Sequence, residues 1–562
     1  MPPLIECVPN FSEGRDMAVI KQITDQIETV EGVRLLDVDP GKATNRTVVT
    51  MVGAPEAVCE AAFRAVRKAS EIIDMRKHKG EHPRFGATDV CPLIPVAGIT
   101  MEETVEYAKK LGKRIGEELR IPIYLYEYAA SKSERKNLAN CRAGEYEGLA
   151  EKLKQPEWKP DFGPAAFNER AGATAVGARD FLVAYNVNLN TTSTRRANSI
   201  AFDIREKGRV KTVDGKPGSK AVVDEKGSKV WEPGTLKCVK AIGWFIDEFG
   251  VAQISINLTN LGVTPIHVAF DECVKKAAER GIRVTGSEIV GLVPLAAMLE
   301  AGRYFLRKQQ RSTGVSDAEL IKIAVKSLGL NDLYPFKPEE KIIEYAIADK
   351  GAKRLVDMTV AQFTDLTASE APAPGGGSIA ALCGSLGAAL ATMVANLSSH
   401  KRGWDDRWEE FSNYAEQGKK HWTRLLQLVD EDTAAFNAIM AAFGLPNGTD
   451  AEKQARKGAV QSATRGAIET PLAVMVESHE SMRVIGKMAE IGMEASVSDA
   501  GVAALCALTA VRGAHLNVRI NAGSLDDKAV AGKYLARAEE IEAQSMKTEQ
   551  EILSVVRSRM KS

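Results

Sequence analysis

The 562 residues exceed what one hydrophobic core supports, since single cores stop growing near ~250–300 residues, and two to four domains are expected. Apolar residues make up 44% and charged residues 26%, with 74 Lys plus Arg against 74 Asp plus Glu, so no global charge points to nucleic acid or a membrane surface. Eight dispersed cysteines without a C-x-x-C argue against a disulfide framework or a cysteine zinc site, and the N-terminus lacks a secretory pattern, so a cytoplasmic protein is expected.

Through about residue 350 the chain alternates short β-rich runs with helical periods. "LIECVPNF", "VRLLDVD", "RTVVTMVG", "DVCPLIPV" and "IPIYLYEYA" read as strands, with helices over "PEAVCEAAFRAVRKASEII" and "MEETVEYAKKLGKRIGEEL". Strands grouped in pairs around single helices predict ferredoxin-like α+β layers rather than a doubly wound sheet. A second mixed block follows, with strand-like runs at "FLVAYNVNL", "VKAIGWFIDEFGVAQISINL" and residues 264–270, then a helix over 271–280. Residues 210–234, rich in Gly, Lys and Asp, read as a surface excursion.

"HKGEHPRFG" carries His78, Glu81 and His82 as H-x-x-E-H, a zinc-hydrolase spacing. Two histidine ligands at that spacing need one helix face, but Gly80 interrupts it, and Pro83 pushes His82 out of the α region. A third ligand is not evident, so no metal is expected, and a histidine in an irregular loop suits proton transfer near neutral pH. A surface or capping histidine is the plain alternative. Arg84 is adjacent, while Asp39 and Arg46 occupy another strand-end loop, "DVDPGKATNRT".

Past residue 357 strand signals vanish and Ala-rich helical stretches predict a bundle. Residues 379–398 carry no charge and are long enough to span a bilayer, yet their large residues (Ile379, Leu382, Leu386, Leu390, Met393, Leu397) form one stripe among small ones. That pattern predicts a closely packed bundle or subunit-interface helix, with no membrane span. Gly375, Gly376, Gly377 and Ser378 precede it, either as an anion cradle or as a flexible connector. In "RLLQLVDEDTAAFNAIM", Leu425, Val429, Phe436 and Ile439 form an apolar stripe that contains Asp432 but not Asp430. A carboxyl on a buried face has a raised pKa and can act as an acid; a buried Asp paired to a structural partner is the alternative. Arg512, His515 and Arg519 share a helix face that could hold an anionic tail or could simply be solvated.

"ECVPNFSEGRD", "LLDVDPGKATNRTVVT", "IDMRKHKGEHPRFGATDVCPLIPV", "CRAGEYEGL" and "PDFGPAAFNERAGATAVGARDFLVAYNVNL" together resemble the glutamate formimidoyltransferase family. "APAPGGGSIAAL" and "LVDEDTAAFNAIM" resemble formimidoyltetrahydrofolate cyclodeaminases, and the order fits the fused bifunctional family; the excursion at 210–234 is longer than in vertebrate members. The resemblance implies transfer of a formimino group from N-formimino-L-glutamate to tetrahydrofolate, the co-substrate, which would be polyglutamylated. It then implies ring closure to 5,10-methenyltetrahydrofolate with loss of ammonia. His82 matches the family's catalytic histidine and Asp432 its catalytic aspartate. The folate-binding stretch carries over to Gly163, Pro164, Ala165, Ala166, Phe167, Asn168, Glu169, Arg170, Ala171 and Gly172, where terminal glycines would let backbone approach a pterin. Arg46, Arg84 and Arg179 are candidate carboxylate clamps and Asp39 a candidate orienter. The resemblance also implies at least a dimer through the helical half. Expected boundaries are 1–180 and 181–347 for two transferase subdomains, a linker at 348–355, and the helical domain at 356–562. The competing readings are a zinc hydrolase on His78, Glu81 and His82, a non-enzymatic scaffold, and the same fold with one active half or a cyclohydrolase activity.

Overall fold

The computed structural model describes residues 3–41, 45–80, 83–215, 219–225, 227–247, 249–348 and 354–560. Met1–Met298 with Val325–Ala348 form one unit, and Leu299–Ala324 with Asp349–Ser562 the other. Residues 299–324 therefore group with the helices, although the sequence reading assigns them to the α+β half; the linker expected at 348–355 lies mostly outside the described residues.

The α+β unit begins β1 (Leu4–Cys7), β2 (Asn10–Phe11), α1 (Met17–Glu28), β3 (Val33–Gly41), β4 (Arg46–Gly53), α2 (Pro55–Ile72), β5 (Thr88–Ala97), α3 (Met101–Glu118), β6 (Ile123–Glu127), α4 (Leu138–Arg142), α5 (Glu145–Lys152) and β7 (Thr174–Ala178). β1 and β2 are two pieces of one broken strand, since both pair antiparallel with β4 and β5. With β3 outside β4, the sheet is the ferredoxin-like arrangement, extended beyond β5 by the parallel pair β7 and β6. Strand alternation sorts the two faces. Ile5, Cys7, Val49, Met51, Cys91 and Leu93 are buried in one core with α1, α2 and α3. The opposite face carries Glu6, Val48, Thr50, Val90 and Pro92, with the short α4 and α5 covering the Val90 side. The helices are fixed by their ends: Asp16 accepts from the backbone of Ala18 and Val19 at α1, and Thr100 with Glu103 closes a capping box on α3.

The same unit continues through β8 (Val183–Leu189), α6 (Thr194–Ile204), β9 (Arg209–Val210), β10 (Trp231–Glu232), β11 (Val239–Ile246), β12 (Val251–Leu258), α7 (Ile266–Ala278) and β13 (Val284–Val290). The order β11-β12-β8-β13 repeats the ferredoxin-like pattern, as the strand grouping predicts. Residues 210–234 form the expected excursion, a short β9–β10 ladder with Val213 and Val223 exposed. The strand-like reading of 264–270 is corrected: Pro265, with φ preset at −66°, caps a helix that starts at Ile266. α8 (Leu295–Lys308), α9 (Asp317–Leu328), α10 (Pro338–Lys341) and α11 (Ile343–Ala346) follow.

The helical unit is built on α12 (Val360–Thr367), α13 (Gly376–Ser399), α14 (Trp408–Phe443), α15 (Asp450–Ile491), α16 (Val497–Gly523) and α17 (Lys528–Met560). α13 buries its small face: Ala381, Gly384, Gly387, Ala388 and Ala391 are inside, while Leu386, Met393 and Leu397 of the large stripe are exposed. Gly387 lets the backbones of α13 and α16 approach, since a Cβ there would sit 2.8 Å from the Ala503 carbonyl oxygen. α13 and the segment Glu494–Gly523 are long and apolar enough to cross a membrane, but half or more of each apolar window is buried inside the bundle. Pro471 lies within α15, where it removes one backbone donor; the freed Ala467 carbonyl accepts from the Asn521 side chain at 2.7 Å instead.

Candidate active site

The faces of the two sheets turned away from α1–α3 and from α6 and α7, with Leu138, Ala139 and Arg142 of α4, line one cavity of about 1100 Å³. Glu6, Asn10, Asp37, Asp39, Arg46, Tyr126 and Arg179 enter it from the first sheet and its flanks; Ala184, Lys240, Asn257 and Val290 enter from the second. Three sequence candidates, Asp39, Arg46 and Arg179, are thus gathered into one space. Arg46, Val48 and Thr50 line it along β4, where Val52 stands level with Glu6 and Arg46 lies roughly 20 Å further along the strand at about 3.4 Å per residue.

The two ends differ in chemistry. At the Arg46 end the Asp89 carboxylate is fully buried; it accepts from Arg142 Nη2 at 2.5 Å and from the Phe85 N–H. Burial holds the Arg46 pKa down to about 10 against the attraction of Asp89. At the other end Glu6 is only 4% exposed, and burial pushes its pKa up to about 7, with Arg179 opposing. Burial also raises Asp37 and Glu127. Glu6, Asp37, Tyr126, Glu127 and Lys240 are cavity residues that sequence reading missed. One signal was available for Glu6: a charged residue inside the central strand of a sheet whose other face is a closed core.

The loop that follows α2 is anchored at the Arg46 end, where Asn45 Nδ2 donates to the Lys79 carbonyl at 3.0 Å. Glu81 and His82 lie outside the described residues. His78 is not helical, and both of its ring nitrogens are occupied. Arg84 Nε donates to Nδ1 at 3.1 Å, so Nε2 carries the proton and donates to the Asn45 carbonyl at 2.8 Å. His78 in this state has no lone pair left for a metal. The expectation that Arg84 clamps a substrate carboxylate is corrected: its guanidinium is buried, forked onto Glu147, bonded to Glu145 and spent on His78. Arg84 orders the loop.

In Gly163–Gly172 the two terminal glycines have a structural reason. Gly163 (φ +79°) lies against the Ile121 carbonyl and Gly172 (φ +67°) against Phe85 and Gly86, so these glycines serve close packing of protein backbone. Asn168 accepts from the Ala171 N–H, and Phe167 packs on Tyr146 with ring centroids 5.4 Å apart. The stretch does not line the cavity described above.

In the helical unit Asp432 meets the glycines. Ser378 Oγ, on the first turn of α13, donates to Asp432 Oδ2 at 3.1 Å and also reaches the Val429 carbonyl at 2.9 Å. A Cβ on Gly377 would lie 2.1 Å from Asp432 Oδ1, so only glycine leaves room for the carboxylate; Asn517 stands beside Gly376. Asp432 is half-buried, and desolvation raises its pKa although bonds from Ser378 pull it down. The glycines are therefore a helix start holding a carboxyl rather than a free connector. The stripe is buried only in part: Leu425 and Val429 are inside, whereas Phe436 is 36% exposed. Asp430, off the stripe, accepts from the Leu355 N–H. The Arg512–His515 face is also corrected, because both side chains pair with Glu542.

Three family descriptions match the chain: the formiminotransferase domain, N-terminal subdomain, over residues 4–179; the formiminotransferase domain over 184–348; and formiminotransferase-cyclodeaminase over 359–540. The formimidoyltransferase-cyclodeaminase of Rattus norvegicus is 43% identical over 528 residues, 94% of each chain. That of Dictyostelium discoideum is 42% identical over the full length of both. The methenyltetrahydrofolate cyclohydrolase of Methylorubrum extorquens is 38% identical over 202 residues, 36% of this chain and 97% of its own. On sequence, on the doubled ferredoxin-like unit and on the helical unit that follows it, this chain belongs to the formimidoyltransferase-cyclodeaminase family.

Proposed function

We propose that the chain catalyses two consecutive folate reactions of histidine degradation. The α+β unit transfers the formimino group of N-formimino-L-glutamate to N5 of tetrahydrofolate, and the helical unit closes the product to 5,10-methenyltetrahydrofolate with release of ammonia. The observation that carries the reading is the Asp432 carboxyl, desolvated and seated on the start of α13 where only glycine fits.

In the transfer, N5 attacks the formimino carbon, and a base takes its proton while the glutamate nitrogen leaves protonated. His82 is assigned that exchange by its match to the family; Lys79, three residues earlier in the chain, is held by Asn45 next to Arg46. Arg179 at the far end, with Lys240 nearby, receives a ligand carboxylate, and Asp39 orients the bound groups beside Arg46. The Gly163–Gly172 stretch contributes to folate binding through Phe167 and Asn168. In the ring closure, N10 attacks the same carbon and the C–N bond to the amino group breaks. Neutral Asp432 gives the departing ammonia its proton and recovers one from N10. No step uses a metal, which the engaged state of His78 supports. Folate with a polyglutamate tail is the expected form.

The chain self-associates through the helical unit; the exposed Leu386, Met393 and Leu397 on α13 and Leu516 and Ile520 on α16 support an apolar contact between copies. It resides in the cytoplasm, in line with eight cysteines that are all free. The Methylorubrum relative favours one second reading, in which the bundle hydrolyses a methenyl folate instead of expelling ammonia.

Both readings separate in one assay. Purified protein is mixed with formiminoglutamate and tetrahydrofolate, and methenyltetrahydrofolate is followed by ultraviolet absorbance alongside released ammonia. The wild type makes both products in equal amounts. His82→Ala consumes no formiminoglutamate, and Asp432→Ala accumulates 5-formiminotetrahydrofolate, its second step slowed by ~10²–10⁴. A wild type that is inert and carries stoichiometric zinc sinks the proposal; a wild type that releases no ammonia in this mixture but hydrolyses added methenyltetrahydrofolate selects the second reading.

A further inference from the structure

Glu6 sits on the central strand of the first sheet, on the face turned to the cavity, and is 4% exposed. Its carboxyl makes no hydrogen bond or ion pair among the described residues. Arg179 is its nearest cationic influence: the Arg179 backbone N–H bonds the Leu93 carbonyl, and Leu93 pairs with Cys7, the neighbour of Glu6. The Arg179 side chain donates to the Asp180 carbonyl and has no carboxylate partner of its own among the described residues. A desolvated acid and an uncommitted guanidinium thus share one end of a ligand-sized space. Both line the cavity, so a group entering it is within reach of the acid and of the guanidinium.

We propose that Glu6 is a specificity-determining residue that, in its protonated form, donates a hydrogen bond to a ligand carboxylate held by Arg179, so that carboxylate ligands enter this end of the cavity with uptake of one proton. The inference rests on the reading that the Arg179 end receives a carboxylate. Ionised Glu6 competes with the ligand for Arg179 and repels it; neutral Glu6 leaves the guanidinium to the ligand and adds a donor. Asp37, Glu127 and Asp180 also face this end and oppose a further negative charge, Arg179 and Lys240 favour it, and Tyr126 stays neutral. The Glu6 carboxyl, pushed up to about 7 by burial, titrates in the physiological range. Two ligands share the required chemistry: formiminoglutamate through its carboxylates, and tetrahydrofolate through its glutamate tail.

Calorimetric titration of the full chain with each ligand alone, at about pH 6 and about pH 8, tests the assignment. For the ligand that reaches this end, the wild type binds about tenfold more weakly at the higher pH. At that pH it takes up close to one proton, read from buffers of different ionisation enthalpy. Glu6→Gln, checked for folding by thermal melt, binds that ligand equally at both pH values and more tightly than the wild type at the higher one. Arg179→Ala weakens it at both. The ligand that responds identifies the source of the carboxylate. The proposal is overturned if Glu6→Gln weakens binding at both pH values, which would mark Glu6 as an anion receiving a cationic group. It is equally overturned if wild type and Glu6→Gln share one pH profile for both ligands while Arg179→Ala still loses affinity. No loss with Arg179→Ala for either ligand overturns the carboxylate reading of this end, and the Glu6 assignment with it.

Discussion

Asp432 and Glu6 are both carboxyls raised by desolvation, one in each unit of the molecule, yet the fold treats them in opposite ways. Asp432 accepts from Ser378 and rests against the start of α13, so the protein supplies its hydrogen bonds before any ligand arrives. Glu6 is given burial and no donor. A preorganised acid must hold one geometry through a reaction, and its partners fix that geometry. An acid without partners is costly in the empty protein, and that cost is relieved only when a ligand completes it. The contrast is what the two proposed roles require, chemistry for Asp432 and recognition for Glu6.

The largest test of this contrast is stability against pH in Glu6→Gln. The folded pKa of Glu6, about 7, lies above the ordinary 4.5, so the buried acid is at no disadvantage below about 4.5. As pH rises from there, the unfolded chain ionises while the folded one stays protonated, and stability falls until both are ionised above about 7. The gap amounts to about 3 kcal/mol. Glu6→Gln is therefore expected to unfold at higher urea than wild type near pH 8 and to show little gain near pH 4. An equal gain at both ends of the range would mean that Glu6 is not desolvated.

Gly377→Ala probes the other carboxyl. Its Cβ would collide with the tip of a side chain, which can rotate away, so folding is spared. The displaced Asp432 no longer meets the substrate, and cyclodeaminase turnover is expected to drop about 10–100-fold, a barrier increase of about 1.4–2.7 kcal/mol, with transferase turnover unchanged. Loss of both activities together would place the effect in the fold of the whole chain rather than at the carboxyl.

How legible each region was in the sequence follows from its geometry. The place of Asp432 on an apolar stripe was legible because a helix repeats every 3.6 residues, and one window of sequence shows which residues share a face. The doubled ferredoxin-like pattern was legible for the same local reason, in runs of period two and three to four. The cavity was not. Its lining comes from strands far apart in the chain, and a strand read alone says which residues alternate but not which face is closed by helices. Asp39 and Arg46 were reached through the loop at a strand end, and Arg179 through a stretch that carries the family resemblance, whereas Glu6 sits inside a strand. Arg84 was misjudged because its partners, Glu145 and Glu147, are remote in sequence. Which side of α13 faces outward was not read from the sequence, because small residues pack helices more closely than large ones, so apolar size marks the outside of the bundle here.

The smallest effect belongs to Ser378→Ala, and it bears most directly on why Asp432 has partners. Burial raises the Asp432 pKa, and the hydrogen bonds from Ser378 pull it back down. Removing the hydroxyl takes away one of those bonds, so the pKa rises further above 3.8. Water entering the half-buried site restores only a share of the lost hydrogen bond. With the protonated acid as the working form, the limb of cyclodeaminase turnover governed by Asp432 moves to higher pH, and activity on the alkaline side increases rather than falls. The Val429 carbonyl loses the same donor, which lowers stability by about 1 kcal/mol at every pH and leaves the displacement of the limb as the signal specific to the carboxyl. A limb that stays in place while turnover drops would show that Ser378 positions the substrate and does not tune the acid.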